Sequence, residues 1–190
     1  MQILECFTDG SSHGNGKPHC TGGWSFVTWI ENRLVVRYGH LPAPSSNNKG
    51  EIAGVLYGVH KFGDIPGLQL DFYSDSQYVV KSINEWRHKH KTSNYAGIKN
   101  PEMLIPLYTK WDSCSAKCQI SWVKGHESFQ GLKTRFPNMD LEKIKRIHKG
   151  NEAADEYCGL GSANKDRSIN NEFADIKMVS HLELQIYMRK

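Results

Sequence analysis

Apolar residues recur along this chain with two periods, and the switch between them outlines the fold. Ile3, Leu4, Cys6 and Phe7 form an apolar run that ends in Asp9-Gly10-Ser11. This predicts a strand that carries Asp9 to its carboxyl edge. Residues 22–30 alternate large apolar with small or polar side chains, and residues 34–39 predict a third strand after a tight turn at Glu31-Asn32-Arg33. Together these segments predict an antiparallel meander. A polar loop from Pro42 to Lys49 leads into a helix from about Gly50 to Phe62. Its apolar positions Ile52, Val55, Leu56, Val59 and Phe62 follow the helical period.

The period then changes again. Residues 68–73 predict a fourth strand, and Ser74-Asp75-Ser76 opens a helix containing Tyr78, Val79, Ile83 and Trp86. The basic stretch 88–100 reads as a loop. Pro101 suits the first position of a helix with Leu104, Leu107, Tyr108 and Trp111 on one face. Residues 119–123 predict a fifth strand, closed by Gly125-His126. After the polar, basic segment 127–149, residues 151–159 predict a short helix carrying Asp155. An antiparallel meander followed by strand–helix alternation argues for a mixed α/β fold: a five-stranded mixed sheet with helices packed on it.

A chain of 190 residues is long enough for one domain with a real core. Residues 1–160 are expected to form it, with 161–190 as a C-terminal extension. Within that extension Leu182, Leu184, Ile186 and Met188 alternate like a strand, while Phe173, Ile176 and Val179 are spaced like a helix. The net charge of +4 is compatible with a polyanionic partner. No apolar run approaches the roughly 18 residues of a membrane span, and the first residues lack a secretory-signal pattern. Cys6, Cys20, Cys114, Cys118 and Cys158 are an odd set in a chain that needs no staples. Reduced thiols in the cytoplasm are therefore expected. Cys114-x-x-x-Cys118 has no second Cys/His pair at finger spacing, so no structural zinc is expected.

Four carboxylates change the picture. Asp9 and Asp75 each follow a predicted strand, Glu51 falls in the first turn of the helix after the meander, and Asp155 lies on the last short helix. Each has an ordinary explanation alone: Glu51 complements a helix dipole, Asp75 is a helix N-cap, Asp155 faces solvent and His126 is a strand-end histidine. Two of the carboxylates, however, sit just beyond strand ends, where α/β sites form. Four converging carboxylates need cations, because like charges at close range raise one another's pKa. Mg²⁺ takes such oxygens and keeps waters for substrate phosphates. A pair of ions about 4 Å apart clamps both oxygens of a phosphodiester displacement.

Five segments together resemble type 1 ribonuclease H. They are Phe7-Thr8-Asp9-Gly10-Ser11, Asn47-Asn48-Lys49-Gly50-Glu51, Tyr73-Ser74-Asp75-Ser76-Gln77-Tyr78, Trp122-Val123-Lys124-Gly125-His126 and Gly150-Asn151-Glu152-Ala153-Ala154-Asp155. The resemblance covers about residues 1–160 in the family's order. It implies a ribonuclease H-like fold and a monomeric endonuclease. That enzyme would cut the RNA strand of RNA–DNA hybrids and leave 5′-phosphate and 3′-hydroxyl ends. By the same resemblance, Asp9, Glu51, Asp75 and Asp155 match ligands of two Mg²⁺ ions, with Mn²⁺ as a substitute. His126 matches a mobile histidine that assists proton transfer or product release.

The resemblance extends to substrate contacts. Ser12, Asn15, Asn48 and Gln77 match contacts to RNA 2′-hydroxyls, the groups that distinguish RNA from DNA. Ser46 and Asn100 match part of a pocket for a DNA phosphate, where Pro44 stands in place of an arginine found in some members. Trp86 matches an aromatic of the DNA-strand channel, and the next such position is His90. Lys89 and Lys91 resemble a basic handle for the hybrid backbone, and Asn151 is carried over as a further substrate contact.

The chain departs from the family pattern in length. Twenty-four residues separate His126 from Asn151, where the family has a handful. A mobile loop is expected near 128–138, then a helix capped by Asp140 and running toward Asp155. The segment's basic groups are expected to contact the hybrid backbone. Two rival functions share these features in part. A junction-resolvase or integrase-type nuclease of the same fold would keep the carboxylates but not the Asn47-Asn48 and Gln77 contacts. A catalytically silent hybrid-binding module would gain nothing from clustered negative charge.

Overall fold

The computed structural model describes residues 2–30 and 33–163. The extension beyond Ala163 and two residues of the first predicted turn lie outside them. Five strands form one sheet in the order β3-β2-β1-β4-β5. They are β1 (Gln2–His13), β2 (Thr21–Ile30), β3 (Arg33–Leu41), β4 (Leu68–Ser74) and β5 (Lys117–Trp122). The meander β1-β2-β3 is antiparallel, while β4 and β5 run parallel to β1. The mixed sheet expected from the sequence is present.

β1 sits at the centre, and its side chains supply both faces. Leu4 and Cys6 join the core beneath α1 (Asn47–Phe62) and α4 (Pro101–Ser113), whereas Phe7 joins the core beneath α6 (Leu141–Ala163). This is why β1 reads as a near-continuous apolar run rather than a clean alternation. Phe7 stacks on Tyr73 of β4 with ring centroids 5.3 Å apart, a pairing that adds about 1 kcal/mol to the burial itself.

α1 begins three residues earlier than its apolar period suggests. Ser46 is the N-cap, its Oγ accepting from the Lys49 amide at 3.3 Å. Gly50, Gly54 and Gly58 share one face of α1 and bring its backbone onto the sheet. A Cβ at Gly54 would lie 2.4 Å from the Ser25 carbonyl oxygen, and one at Gly50 would lie 2.8 Å from the Gly10 Cα. Side chains there would lift the N-terminal end of α1, and Glu51 with it, off β1.

Four further sequence-based readings need correction. The helix after β4 is capped by Ser76, whose Oγ accepts from the Val79 amide, and not by Asp75. α2 (Gln77–Lys81) continues through a π-helical turn at Ser82–Trp86 into α3 (Arg87–Thr92), so residues 88–92 of the expected basic loop are helical. α3 buries none of its own residues, which is why no period announced it. It is tied down by Arg87 and Lys91, both ion-paired to Asp112 on α4.

The other two corrections concern the long insertion. Residues 129–135 form α5 (Phe129–Arg135) instead of a loop, capped by Ser128 and anchored by the buried Leu132. The expected short helix at 151–159 is the second half of a single 23-residue helix, α6. Its start at Asp140 is as expected, with the Asp140 carboxylate accepting from the Glu142 and Lys143 amides. Gly150 lies inside this helix. In the fold it is a contact point, because a Cβ there would lie 2.3 Å from the Phe7 ring.

Candidate active site

The parallel pairing of β1 with β4 ends at Thr8↔Ser74. Asp9 and Asp75 are the next residues on each strand and so emerge side by side. β1 itself does not end there: it continues to His13, paired only with β2. Glu51 reaches the same place from the second turn of α1, whose first turn holds no acidic residue. It is therefore too far along the helix to complement the N-terminal dipole. Ligating oxygens of Asp9, Glu51 and Asp75 all lie within 4.8 Å of one another. Asp155, on α6, reaches Asp9 within the same limit in a group that includes the Cys158 thiol. The structure thus gathers the other three predicted carboxylates around Asp9.

This placement is electrostatically costly. Asp9 and Glu51 are each only 7 % exposed. Burial, then the Asp75 charge, pushes the Asp9 carboxyl up to about 7. Burial, then Asp9, raises Glu51, while burial and then Asp155 raise Asp75. Little is built in to relieve the cost. The Gly10 amide donates to Asp9 Oδ1 at 2.7 Å, but Glu51 Oε2 is buried without a hydrogen-bond partner. An orphaned oxygen on one member of a three-carboxylate group fits a hard divalent cation, which takes oxygen donors and neutralises their charge. Gly125 makes room for this group, since a Cβ there would lie 2.4 Å from Asp75 Oδ2.

His126 follows Gly125 with φ of 52°, a left-handed backbone that non-glycine residues seldom adopt. Its side chain is 80 % exposed, and its Nδ1 lies 3.9 Å from Asp155 Oδ2. Behind it lies a cavity of about 470 Å³ lined by His126, Glu127, Ser128, Leu132, Asn151 and Asp155, among others. Asn151 thus stands one helical turn from Asp155, within the site.

The expected substrate residues surround this centre at different distances. Ser12 lies on the extension of β1, and its Oγ is buried without a partner. Asn15, Asn48 and Gln77 are exposed, on the loop after β1, the first turn of α1 and the start of α2. The Ser46 and Asn100 segments are drawn together by an ion pair between Lys49 Nζ and Glu102 Oε1 at 2.9 Å. Asn100 donates to the Tyr78 hydroxyl at 3.2 Å. Trp86 closes the π-helical turn and lies against Tyr78 and His90. His90 is held inward by its Nδ1 at 3.0 Å from the Tyr108 hydroxyl. Lys89 is exposed, but Lys91 is paired to Asp112 and so is only half of the expected basic handle.

Two features were not foreseen. Trp122 donates from Nε1 to the Asp75 carbonyl at 2.9 Å. The Arg135 guanidinium lies over the Trp122 ring at 5.2 Å and reaches Glu127 Oε1 at 2.9 Å. The first joins strand ends far apart in the chain and the second forms only once α5 folds back, so neither leaves a local trace in the sequence. Cys114 and Cys118 join no three-residue metal-ligating group among the described residues.

Comparison with known proteins identifies the arrangement. A model of the RNase H family matches residues 1–162. The chain belongs to the ribonuclease H family. It is similar to a ribonuclease H from Nitrosomonas eutropha, 29% identical over 154 residues, covering 76% of this chain and 93% of the relative. A ribonuclease H from Thermosynechococcus vestitus is 30% identical over 134 residues, covering 68% and 81%. Among solved structures, the chain resembles LC9-RNase H1, a type 1 RNase H with the type 2 active-site motif, with a TM-score of 0.65. That match has 18% identity and covers 86% of this chain and 73% of the other. The PFV RNase H domain matches with a TM-score of 0.60 and 22% identity, covering 84% and 94%. The ribonuclease H fold expected from the sequence is therefore the fold observed, and the chain is a hydrolytic nuclease of that family.

Proposed function

We propose that this ribonuclease H cuts the RNA strand of RNA–DNA hybrids endonucleolytically, leaving 5′-phosphate and 3′-hydroxyl ends. The observation that carries the proposal is the convergence of Asp9, Glu51 and Asp75 oxygens within 4.8 Å, with Asp155 reaching Asp9. These four residues would hold two Mg²⁺ ions, or Mn²⁺ in their place. Bound there, such ions supply an activated water and stabilise charge on the attacking and leaving oxygens of the phosphodiester. One chain supplies all four carboxylates, which supports action as a monomer.

The remaining roles belong to side chains. Asp9 and Glu51 must lose their protons before a cation binds, so binding strengthens as pH rises through about 7, where Asp9 titrates. His126 is exposed and near Asp155, a position from which its imidazole can move a proton or steer the cut phosphate outward. Ser12, Asn15, Asn48 and Gln77 would read 2′-hydroxyls, with Asn151 beside them. Ser46 and Asn100 would hold a DNA phosphate, Trp86 would pack against the DNA strand, and Lys89 and Lys91 would attract the backbone. A related solved structure, LC11-RNase H1 in complex with RNA/DNA hybrid, supports this substrate class, with a TM-score of 0.54 and 15% identity.

A panel of substrates tests the proposal. Hybrid should be cut in Mg²⁺, while duplex RNA, duplex DNA and a four-way DNA junction should remain intact. Junction cleavage with no hybrid cleavage would overturn it.

A further inference from the structure

The insertion that separates this chain from the family pattern is built into the active site. Residue 127 is the link. Glu127 directly follows His126, yet its side chain is only 11 % exposed, against 80 % for His126. Its Oε1 accepts from Arg135 Nη2 at 2.9 Å, and its Oε2 is buried without a partner. Arg135 is the last residue of α5, whose N-cap is Ser128. The helix therefore springs from the turn that carries His126 and folds back onto it. Gly131 lets α5 approach, since a Cβ there would lie 2.9 Å from Glu127 Cγ.

The Arg135 guanidinium also lies over the Trp122 ring at 5.2 Å. That ring is itself fixed by its hydrogen bond to the Asp75 carbonyl. A rigid platform thus holds a planar cation, the cation holds Glu127, and Glu127 holds the residue before it. The tether has work to do, because His126 sits at φ of 52°, a conformation that persists only when its surroundings impose it. Without Arg135, the Glu127 carboxylate would be left desolvated and uncompensated. Its cheapest relief is to swing into water, which would carry the His126 turn with it.

We propose that Arg135 is a positioning residue that fixes His126 through Glu127, resting on the hybrid-cleaving function proposed above. It does not touch the carboxylates, and its loss leaves the Trp122–Asp75 bond in place. Three of the insertion's six Lys and Arg residues have carboxylate partners. Arg135 pairs with Glu127, Arg146 with Glu5 and Lys145 with Glu142.

Steady-state kinetics on hybrid would test this with Arg135→Ala, Arg135→Lys and Glu127→Gln, each alone and combined with His126→Ala. Arg135→Ala should lower kcat by between about threefold and a hundredfold, the upper figure being the cost of ångström-scale misplacement. KM and the Mg²⁺ dependence should not change, and Arg135→Lys should recover part of the loss. In the His126→Ala background, Arg135→Ala should cost less than about twofold, because the two residues act as one unit. A wild-type kcat for Arg135→Ala, or an undiminished loss in the His126→Ala background, would overturn the proposal.

If Arg135→Ala melts early, Glu127→Gln reads the same link without removing the guanidinium. It should show the same His126-dependent loss, and a wild-type kcat would count against the tether. A second readout needs no turnover. Amide relaxation of His126 by NMR should show increased motion in Arg135→Ala, and unchanged relaxation would refute the tether even if the wild type failed to cut hybrid.

Discussion

Asp9 and Glu51 face one another at the head of the sheet with ligating oxygens within 4.8 Å, both almost fully buried. In the cation-free protein they hold protons above the usual carboxylate range. The folded state therefore binds more protons than the unfolded chain between the ordinary Asp value of 3.8 and about 7. The resulting stability is fully present below the lower value and is lost as pH rises through the higher one. In EDTA, the Tm of the wild type minus that of Asp9→Asn should fall from pH 5 to pH 8. Thermal unfolding at a series of pH values checks this, and a difference that rises with pH would contradict it. Mg²⁺ added at pH 8 should raise the wild-type Tm more than that of the variant.

Asp75→Asn removes a charge with little change of shape, so it should fit the space left by Gly125. Turnover should be abolished while hybrid binding persists, since phosphate attraction comes from basic groups elsewhere. Burial and the Asp155 charge both disfavour the ionised Asp75. The Tm in EDTA at pH 8 should therefore hold or rise. Turnover assays and calorimetry check the pair of outcomes; wild-type turnover would remove Asp75 from the centre.

His126→Ala should slow turnover by about ten- to a thousandfold, within and just below the usual range for removed acid–base help. Its exposed ring contributes nothing to the core, so the Tm should not change. A rate equal to wild type, or full inactivity with cation binding intact, would contradict the role proposed for it.

Lys89 and Lys91 should differ. Lys89 is exposed, whereas Lys91 is engaged by Asp112. Lys89→Ala should flatten the dependence of log affinity on log salt by somewhat under one unit. Lys91→Ala should flatten it less and lower the Tm, because it removes part of what holds α3 to α4. Fluorescence anisotropy over a salt series would show the contrast, and equal slopes for both variants would refute it.

Much of this site was legible in the sequence because its signals are local. Strands announce themselves by apolar runs, and Asp9 and Asp75 stand just past two of them. The ordered set of five motifs placed Glu51, His126 and Asp155. What escaped was held by long-range contacts. α3 has no buried face of its own and is fastened by ion pairs to Asp112. α5 buries only Leu132, too little to make a period. The sequence suggests a helix from Asp140 toward Asp155 and a short helix at 151–159, and in α6 the two are one continuous helix. Glu127 and Arg135 are unremarkable charges until α5 folds back and brings them to 2.9 Å.

The central claim is that the four carboxylates make this chain a cation-dependent cutter of RNA within hybrids. A hybrid labelled separately on each strand, incubated with wild type or Asp75→Asn in Mg²⁺ and in EDTA, tests it most directly. The account predicts internal cleavage of the RNA strand alone, by the wild type alone, only in Mg²⁺, with products bearing 5′-phosphates. Cleavage of the DNA strand, cleavage in EDTA, or cleavage by Asp75→Asn at the wild-type rate would contradict it.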